Sequence, residues 1–307
     1  MTPGPRSEGP RIVLLGRTGQ VGRELERTLP ALGPVTAFDR AGADLERPDS
    51  VADLVLGLRP DVVVNAAAYT AVDRAEAEPD RARLVNATAV AALADACRRS
   101  DALFVHYSTD YVFDGTRAGP HVETDPPAPL GVYGATKLAG ERALAAADCR
   151  HLVFRTSWVY AAHGTNFVRT ILRLAQEREE LSVVDDQTGA PTSAALIADV
   201  TAAALARAGG PAALADGIYH LVPHGAVTWC GFARHVVGVA RAAGLPLALE
   251  PQRILPIPTS AYPTAARRPA NSLLCTAKLE AALGRTLPTW QDDASPILAA
   301  VAAERRG

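Results

Sequence analysis

An α/β fold, built on a doubly wound parallel sheet with a smaller C-terminal region partly interleaved with it, is predicted from three features of the chain. Short runs of apolar residues alternate with longer helical patterns through the first half. Those runs lack internal polar alternation, which suits strands covered on both faces. A glycine-rich loop stands between the first run and the first helix, where a doubly wound sheet turns.

In order, Arg11 to Leu15 reads as a buried strand, Val21 to Leu32 as a helix, and Pro34 to Phe38 as a second strand. A strand over Asp61 to Val64 follows, then a helix around Asp80 to Arg99 and a strand over Ala102 to Tyr107. A helix carries Tyr133 through Ala147, and His151 to Arg155 is the next strand. Beyond Thr156 the pattern loosens. Helices are expected over Asn166 to Arg178, Ser193 to Ala208 and Trp229 to Ala243, with strand-like runs at Leu181 to Val184 and Gly217 to Val222. The proline-rich stretch from Pro251 to Pro269 is expected to be mostly loop with short extended pieces. The expected division is a tail over 1–10, a dinucleotide-binding Rossmann-like domain over 11–160, and a mainly substrate-binding region over 161–307. Some segments of that last region are expected to return to the first domain.

Composition narrows the function classes. With 48% hydrophobic and 21% charged residues, the chain reads as a soluble globular protein. A net charge of -2 gives no reason to invoke nucleic acid or an acidic membrane. No run approaches roughly 18 uninterrupted apolar residues, so no membrane span is expected. The first ten residues are rich in Pro and Gly and read as a frayed tail rather than a signal peptide. Cys97, Cys149, Cys230 and Cys275 are scattered, as are the histidines. That suits a reducing cytoplasm and argues against a metal site.

Gly16-Arg17-Thr18-Gly19-Gln20-Val21-Gly22 lets a phosphate approach closely and opens a helix whose first N–H groups are free for a pyrophosphate. Asp39 ends the second strand, where an acid can accept the adenosine ribose hydroxyls and favour NADH. Arg40 follows directly and suits a 2′-phosphate, which leaves NADPH or NADH open. Asn65-Ala66-Ala67-Ala68-Tyr69-Thr70 exposes backbone at the end of a central strand, beside the same cofactor position. Ser108-Thr109-Asp110-Tyr111 brings hydroxyls to that sheet edge, where a Ser/Thr turn is the competing reading.

Tyr133 and Lys137 stand four residues apart, on one face of a helix. Of the 31 basic residues only Lys137 and Lys278 are lysine. An ammonium beside a phenol is a compact charge that lowers the phenol's pKa and hydrogen-bonds a sugar hydroxyl, which arginine's planar fork does not do in the same geometry.

The glycine loop, Ser108-Thr109 and Tyr133-x-x-x-Lys137, in this order, resemble the extended short-chain dehydrogenase/reductase superfamily. Seven stretches are similar, more closely, to the dTDP-4-dehydrorhamnose reductase family. They are Gly-Arg-Thr-Gly-Gln-Val-Gly, Asn-Ala-Ala-Ala-Tyr-Thr-Ala-Val-Asp, Ser-Thr-Asp-Tyr-Val-Phe-Asp-Gly, Val-Tyr-Gly-Ala-Thr-Lys, Arg-Thr-Ser-Trp-Val-Tyr, Asp-Asp-Gln-Thr-Gly-Ala-Pro-Thr and Ala-Arg-Arg-Pro. The resemblance implies reduction of the C4 ketone of dTDP-4-dehydro-L-rhamnose with NADPH or NADH. It makes Tyr133 the proton donor, Lys137 the holder of the nicotinamide ribose and Thr109 a hydrogen-bond donor to the ketone. It places Asp110, Tyr111 and Trp158 against the sugar or thymidine nucleotide, and Asn166, Gln187 and Arg268 on the dTDP portion. On the cofactor side it places Gly16, Thr18, Gly19, Gln20, Val21 and Gly22, then Asp39, Arg40, Asp44 and Leu45, then Ala67, Ala68 and Tyr69.

Sister 4,6-dehydratases carry glutamate after the aspartate, where this chain has Tyr111, which disfavours dehydration. Some family members form dimers bridged by magnesium through glutamates. Glu24 matches one such position but Ala195 replaces another, so a monomer or a metal-free homodimer is expected and no metal. Two alternatives stay open: a 4-ketoreductase for another dTDP-deoxysugar, and a non-catalytic dinucleotide-binding regulatory subunit.

Overall fold

A computed structural model describes residues 9–208, 210 and 213–305. Residues 1–8 of the expected tail lie outside the described residues. The chain enters a parallel sheet at β1 (Ile12–Leu15), crosses α1 (Gln20–Thr28) to β2 (Val35–Phe38), and returns by α2 (Pro48–Leu58) to β3 (Val62–Asn65). Helices α3 (Val72–Ala77), α4 (Pro79–Arg83) and α5 (Ala89–Ser100) lead to β4 (Leu103–Thr109). Helix α6 (Val132–Ala146) leads to β5 (His151–Thr156).

Beyond β5 come β6 (Val159–Tyr160), α7 (Phe167–Glu177), β7 (Leu181–Val184), β8 (Thr188–Gly189), β9 (Thr192–Ser193) and α8 (Ala194–Ala206). The chain then forms β10 (Gly217–His220), β11 (Val227–Thr228), α9 (Trp229–Ala242), β12 (Ile254–Ile257), α10 (Ala277–Leu283) and α11 (Trp290–Glu304).

The main sheet has the order β10-β5-β4-β3-β1-β2, and every pairing in it is parallel. The apolar runs follow from this. Ile12 and Leu14 face one core with Val62, Val64, Leu103 and Val105. Val13 and Leu15 face the other, with Val63 and Phe104. Both sides of each strand are thus apolar, and each fully buried Val, Leu or Ile contributes about 1.5–3 kcal/mol. A separate core joins α7, α9 and α11 through Ile171, Leu172, Val236, Leu298 and Val301. Side chains fix where these helices begin: Asn166 caps α7, Ser193 caps α8, Thr228 caps α9 and Thr289 caps α11.

Two local expectations shift. The helix expected around Asp80 to Arg99 is interrupted by a π-helical turn over Leu84–Thr88. Ser108 and Thr109 lie within β4 rather than after it, paired with Arg155 and Thr156 of β5. Within the Pro251–Pro269 stretch, Ile254 to Ile257 is one of the short extended pieces expected there, and it pairs in parallel with β7.

Helix α6 meets the sheet through polar groups. Arg155 of β5 donates from Nε and Nη2 to the two carboxylate oxygens of Glu141, at 2.9 and 2.6 Å, and both side chains are almost wholly buried. A buried pair loses most when only one partner is removed, because the other charge is stranded. Glu141→Ala is expected to cost about 3–5 kcal/mol of folding stability. Urea unfolding checks this; a loss near zero would show that the pair does not hold the helix.

Candidate active site

Reversal of strand order between β1 and β3 opens a crevice at the carboxyl ends of the strands. Gly16 leaves β1 with φ +84°, a left-handed conformation that glycine adopts at no steric cost. A Cβ on Gly22 would stand 2.0 Å from the Gly16 carbonyl oxygen, so α1 packs against the loop only with glycine there. Gly19 caps α1 with no side-chain bond to its first turn. The loop therefore offers bare backbone and a helix start of nine residues, a cradle that fits the pyrophosphate of a dinucleotide. Thr18, Gln20 and Val21 lie within it.

The positions expected beside the adenosine are engaged with their neighbours. Asp39 Oδ1 accepts the Ala41 and Gly42 N–H groups, at 3.0 and 3.1 Å. Arg40 pairs with Glu46 at 2.6 Å and with Asp44 at 3.4 Å. Leu45 is buried behind them. On the β3 side, Ala67 N–H donates to Asn65 Oδ1 at 3.1 Å and leads into Ala68. Tyr69 is held by Asn86, which accepts its N–H at 2.9 Å and donates to its carbonyl at 3.1 Å.

Thr109, Asp110 and Tyr111 come together with Tyr133, and Lys137 stands one turn further along α6. Thr109 Oγ1 donates to Asp110 Oδ1 at 3.0 Å and accepts the Tyr111 N–H at 3.2 Å. The Tyr111 ring meets the Tyr133 ring edge-on, with centroids 5.6 Å apart. Glu76 of α3 accepts the Val132 N–H at 2.8 Å and puts a carboxylate at the positive end of α6. Burial pushes the Tyr133 phenol up to about 12 and the nearby Asp110 carboxylate adds to this, while a hydrogen bond with Thr109 pulls the other way. The shift is opposite to the expected lowering: burial sets its direction, and Lys137 is not among its causes. Lys137 turns to the sheet, where Nζ lies 3.1 Å from His106 Nε2. Burial brings the Lys137 ammonium down to about 8, with Glu141 opposing.

The remaining expected residues fall in two groups. Arg268 donates to both carboxylate oxygens of Asp73, at 3.1 and 2.7 Å, which ties its loop to α3 near Tyr111. Gln187 donates to Thr259 Oγ1 at 3.0 Å. Trp158, with φ +49°, stacks on Trp229 at 3.6 Å. Asn166 stands apart from Gln187 and Arg268 in its bonding. Its side chain accepts Arg169 N–H and donates to Gln20 Oε1 at 2.8 Å, against the glycine loop. Glu24 pairs with Arg27 at 3.2 Å and His163 at 3.3 Å, and Ala195 lies in the first turn of α8. Among the described residues no three His, Cys, Asp or Glu side chains gather as a metal site.

Sequence reasoning passed over Asn65 as a side chain, His106, Asn86 and Glu76. The available signal was polar residues inside or ending apolar runs, as with His106 between Val105 and Tyr107. A buried polar group without a partner is costly, so each implied a partner to find.

Gly22→Ala is expected to weaken NADPH binding at least tenfold in a fluorescence titration. Gly57→Ala is its control: that glycine lies in α2 with open space where a Cβ would go, and it should gain about 0.5–1 kcal/mol with binding unchanged. A second expectation concerns Asp110, whose carboxyl burial pushes up to about 6. The folded value stands above the unfolded one, so the buried carboxylate costs stability above pH 6, and the cost fades as pH falls towards ~4. Asp110→Asn should therefore stabilise at pH 7.5 and lose that gain in acid, as read by urea unfolding across pH.

Comparison with known proteins places this geometry. The family model described as the RmlD substrate binding domain matches residues 10–303. The dTDP-4-dehydrorhamnose reductase of Escherichia coli strain K12 is 53% identical over 284 residues, covering 91% of this chain and 94% of that protein. The enzyme of the same name from Streptomyces griseus is 40% identical, covering 95% and 93%. A crystal structure of the Bacillus anthracis dTDP-4-dehydrorhamnose reductase in complex with NADP superposes with a TM-score of 0.86 at 33% identity, covering 94% of this chain and 98% of that one. The chain belongs to the RmlD substrate binding domain family, that of the dTDP-4-dehydrorhamnose reductases.

Proposed function

We propose that the protein reduces the C4 ketone of dTDP-4-dehydro-L-rhamnose to dTDP-L-rhamnose, with NADPH or NADH as reductant and Tyr133 as proton donor. One observation supports this above the rest: the Tyr133 phenol is buried against the Thr109 hydroxyl, Lys137 follows one turn along the same helix, and a glycine loop shaped for a dinucleotide stands at the end of β1.

A bound nicotinamide dinucleotide supplies the hydride. Gly16 to Gly22 would hold its pyrophosphate, Asp39, Arg40, Asp44 and Leu45 its adenosine side, and Ala67, Ala68 and Tyr69 the central part. Lys137 would hold the nicotinamide ribose. Thr109 hydrogen-bonds the ketone oxygen and fixes it against the phenol. Tyr133, kept protonated well above neutral pH, gives its proton to that oxygen as negative charge forms there. Asp110, Tyr111 and Trp158 line the sugar or nucleotide. Gln187 and Arg268 face the dTDP portion, with the Arg268 fork suited to a diphosphate. Asn166 would hold the dTDP portion from the start of α7, in exchange for its bond to Gln20.

The partner is a small dTDP-sugar rather than nucleic acid or membrane, which the net charge of -2 supports. Among the described residues no helix is long and apolar enough to cross a membrane. The proposed setting is the cytoplasm, as a monomer or homodimer.

The direct assay supplies dTDP-4-dehydro-L-rhamnose with NADPH or NADH and follows absorbance. Oxidation of neither cofactor would sink the proposal. Tyr133→Phe is expected to lower kcat by about 10²–10⁴ with cofactor affinity retained, since only the proton donor is lost. Lys137→Arg should also lose activity despite its charge, and full activity in that variant would remove the role given to the lysine.

A further inference from the structure

Lys137 ends against the sheet in a short polar chain. Its Nζ is 3.1 Å from His106 Nε2, and His106 Nδ1 is 3.4 Å from the side-chain amide nitrogen of Asn65. Lys137 is 2% exposed, His106 1% and Asn65 1%. Asn65 and His106 are paired in register between β3 and β4, so the sheet itself sets their separation.

A backbone group decides the direction of these bonds. The Ala67 N–H can only donate, and it meets Asn65 Oδ1 at 3.1 Å. The Asn65 NH₂ group must then face His106. Its donation requires a lone pair on Nδ1, which places the ring proton on Nε2. That Nε2–H points at Lys137 Nζ and is satisfied there by the lone pair of a free amine, not by an ammonium.

We propose that Asn65 and His106 are positioning residues that set the proton balance of Lys137: Asn65 fixes the Nε2–H tautomer of His106, and that N–H favours the amine form of the lysine. The inference rests on the reductase reading, in which Lys137 serves the reaction. To face an ammonium, His106 must move its proton to Nδ1 and Asn65 must turn its oxygen away from Ala67, leaving a buried N–H unmet. Burial, and then the Lys137 charge, hold His106 well below its ordinary pKa, so the ring is neutral and its tautomer is the variable. Among the described residues, Glu141 on its own helix acts on the Lys137 charge, Tyr133 stands one turn back on that helix, and the elements packed about α6 carry Asp110 after β4, Arg155 of β5 and Glu76 of α3. Arg155 is bound to Glu141, and Glu76 to the start of α6. A lysine poised in this way gains and loses a proton within the working pH range. Arginine cannot, because it stays protonated in proteins. That gives the placing of a lysine at 137, in a chain with only two, a chemical reason.

Long-range ¹H–¹⁵N NMR of histidine-labelled enzyme, with and without NADPH, tests this, the His106 signals being assigned by their loss in His106→Gln. The wild type should show His106 as the Nε2–H tautomer at pH 7. Asn65→Asp should convert it to Nδ1–H, since one carboxylate oxygen keeps the Ala67 N–H and the other accepts from Nδ1. The alkaline limb of kcat against pH should then move up by about one unit, a tenfold change in proton affinity. In the His106→Gln background the same substitution should move it less, through charge alone. An Nδ1–H wild type, an unchanged tautomer in Asn65→Asp, or an equal shift in both backgrounds would overturn the inference. The wild-type spectrum decides even if the variants fail to fold. An Nδ1–H tautomer in an active reductase would remove this inference alone, whereas Nε2–H in an enzyme that oxidises neither cofactor would support the tautomer assignment and remove the reductase reading.

Discussion

The bidentate bond between Glu141 and Arg155 fixes helix α6 along the sheet, and the geometry of the site depends on where that helix sits. Apolar contacts would hold it down without holding it in register, because hydrophobic burial is non-directional. A guanidinium fork on a carboxylate has one good geometry. Glu141 is one turn beyond Lys137, and Lys137 one turn beyond Tyr133, so fixing one places all three. Further bonds hold the helix at its other end. Glu76 accepts the Val132 N–H, and Asn86 donates to Thr136 Oγ1 at 3.2 Å. Asn86 sits in the π-helical turn, so the break in the helical pattern supplies the side chain that joins Tyr69 to α6.

The polar layer exacts a cost in isolated stability, since taking two charges out of water offsets much of their attraction. It lies on one face of the sheet only. Asn65 and His106 share one level of strand pairing, and Ser108, Arg155 and His220 another, all towards α6. The opposite face at the same depth is aromatic and aliphatic, with Tyr107, Phe154 and Tyr219. The site is therefore polar where α6 lies and apolar behind, which makes the buried carboxyl, phenol and amine groups depend on one another.

Much of this was legible in the sequence because strands covered on both faces leave an unbroken apolar record. Ile12 to Leu15 and Val62 to Val64 are such records, and the glycine loop follows from its place after the first. The tyrosine–lysine spacing was legible because a helix repeats every 3.6 residues. What the pattern lacks is the identity of the partner. The Gly217–His220 run has the apolar look of a strand, yet nothing in it says that it pairs with β5 in the main sheet. His106 looked like an interruption of β4, and its meaning depends on Lys137, 31 residues away. The sign of the Tyr133 shift was missed for the same reason: a neighbouring charge can be read from spacing, whereas burial depends on what packs from elsewhere.

The C-terminal region is bound to the sheet domain by polar side chains as well as by cores. Arg268 grips Asp73, Asp73 also accepts the Ala266 N–H at 3.0 Å, and Asn166 grips Gln20. These bonds lie on opposite sides of the crevice, one beside Tyr111 and the other on the glycine loop. The Arg268 clasp can be exchanged for a bond to a ligand phosphate and the neutral Asn166–Gln20 clasp for a bond to a ligand hydroxyl at little net change, because each bond is traded for another of its kind. The same holds for Arg40 between Asp44 and Glu46. An apolar seam in these places would have to be broken outright before a charged ligand entered. Polar clasps keep the crevice walls in place while leaving their donors ready for a polar occupant, and for that reason two residues proposed to meet the nucleotide sugar, Arg268 and Asn166, can also hold the two parts together without it.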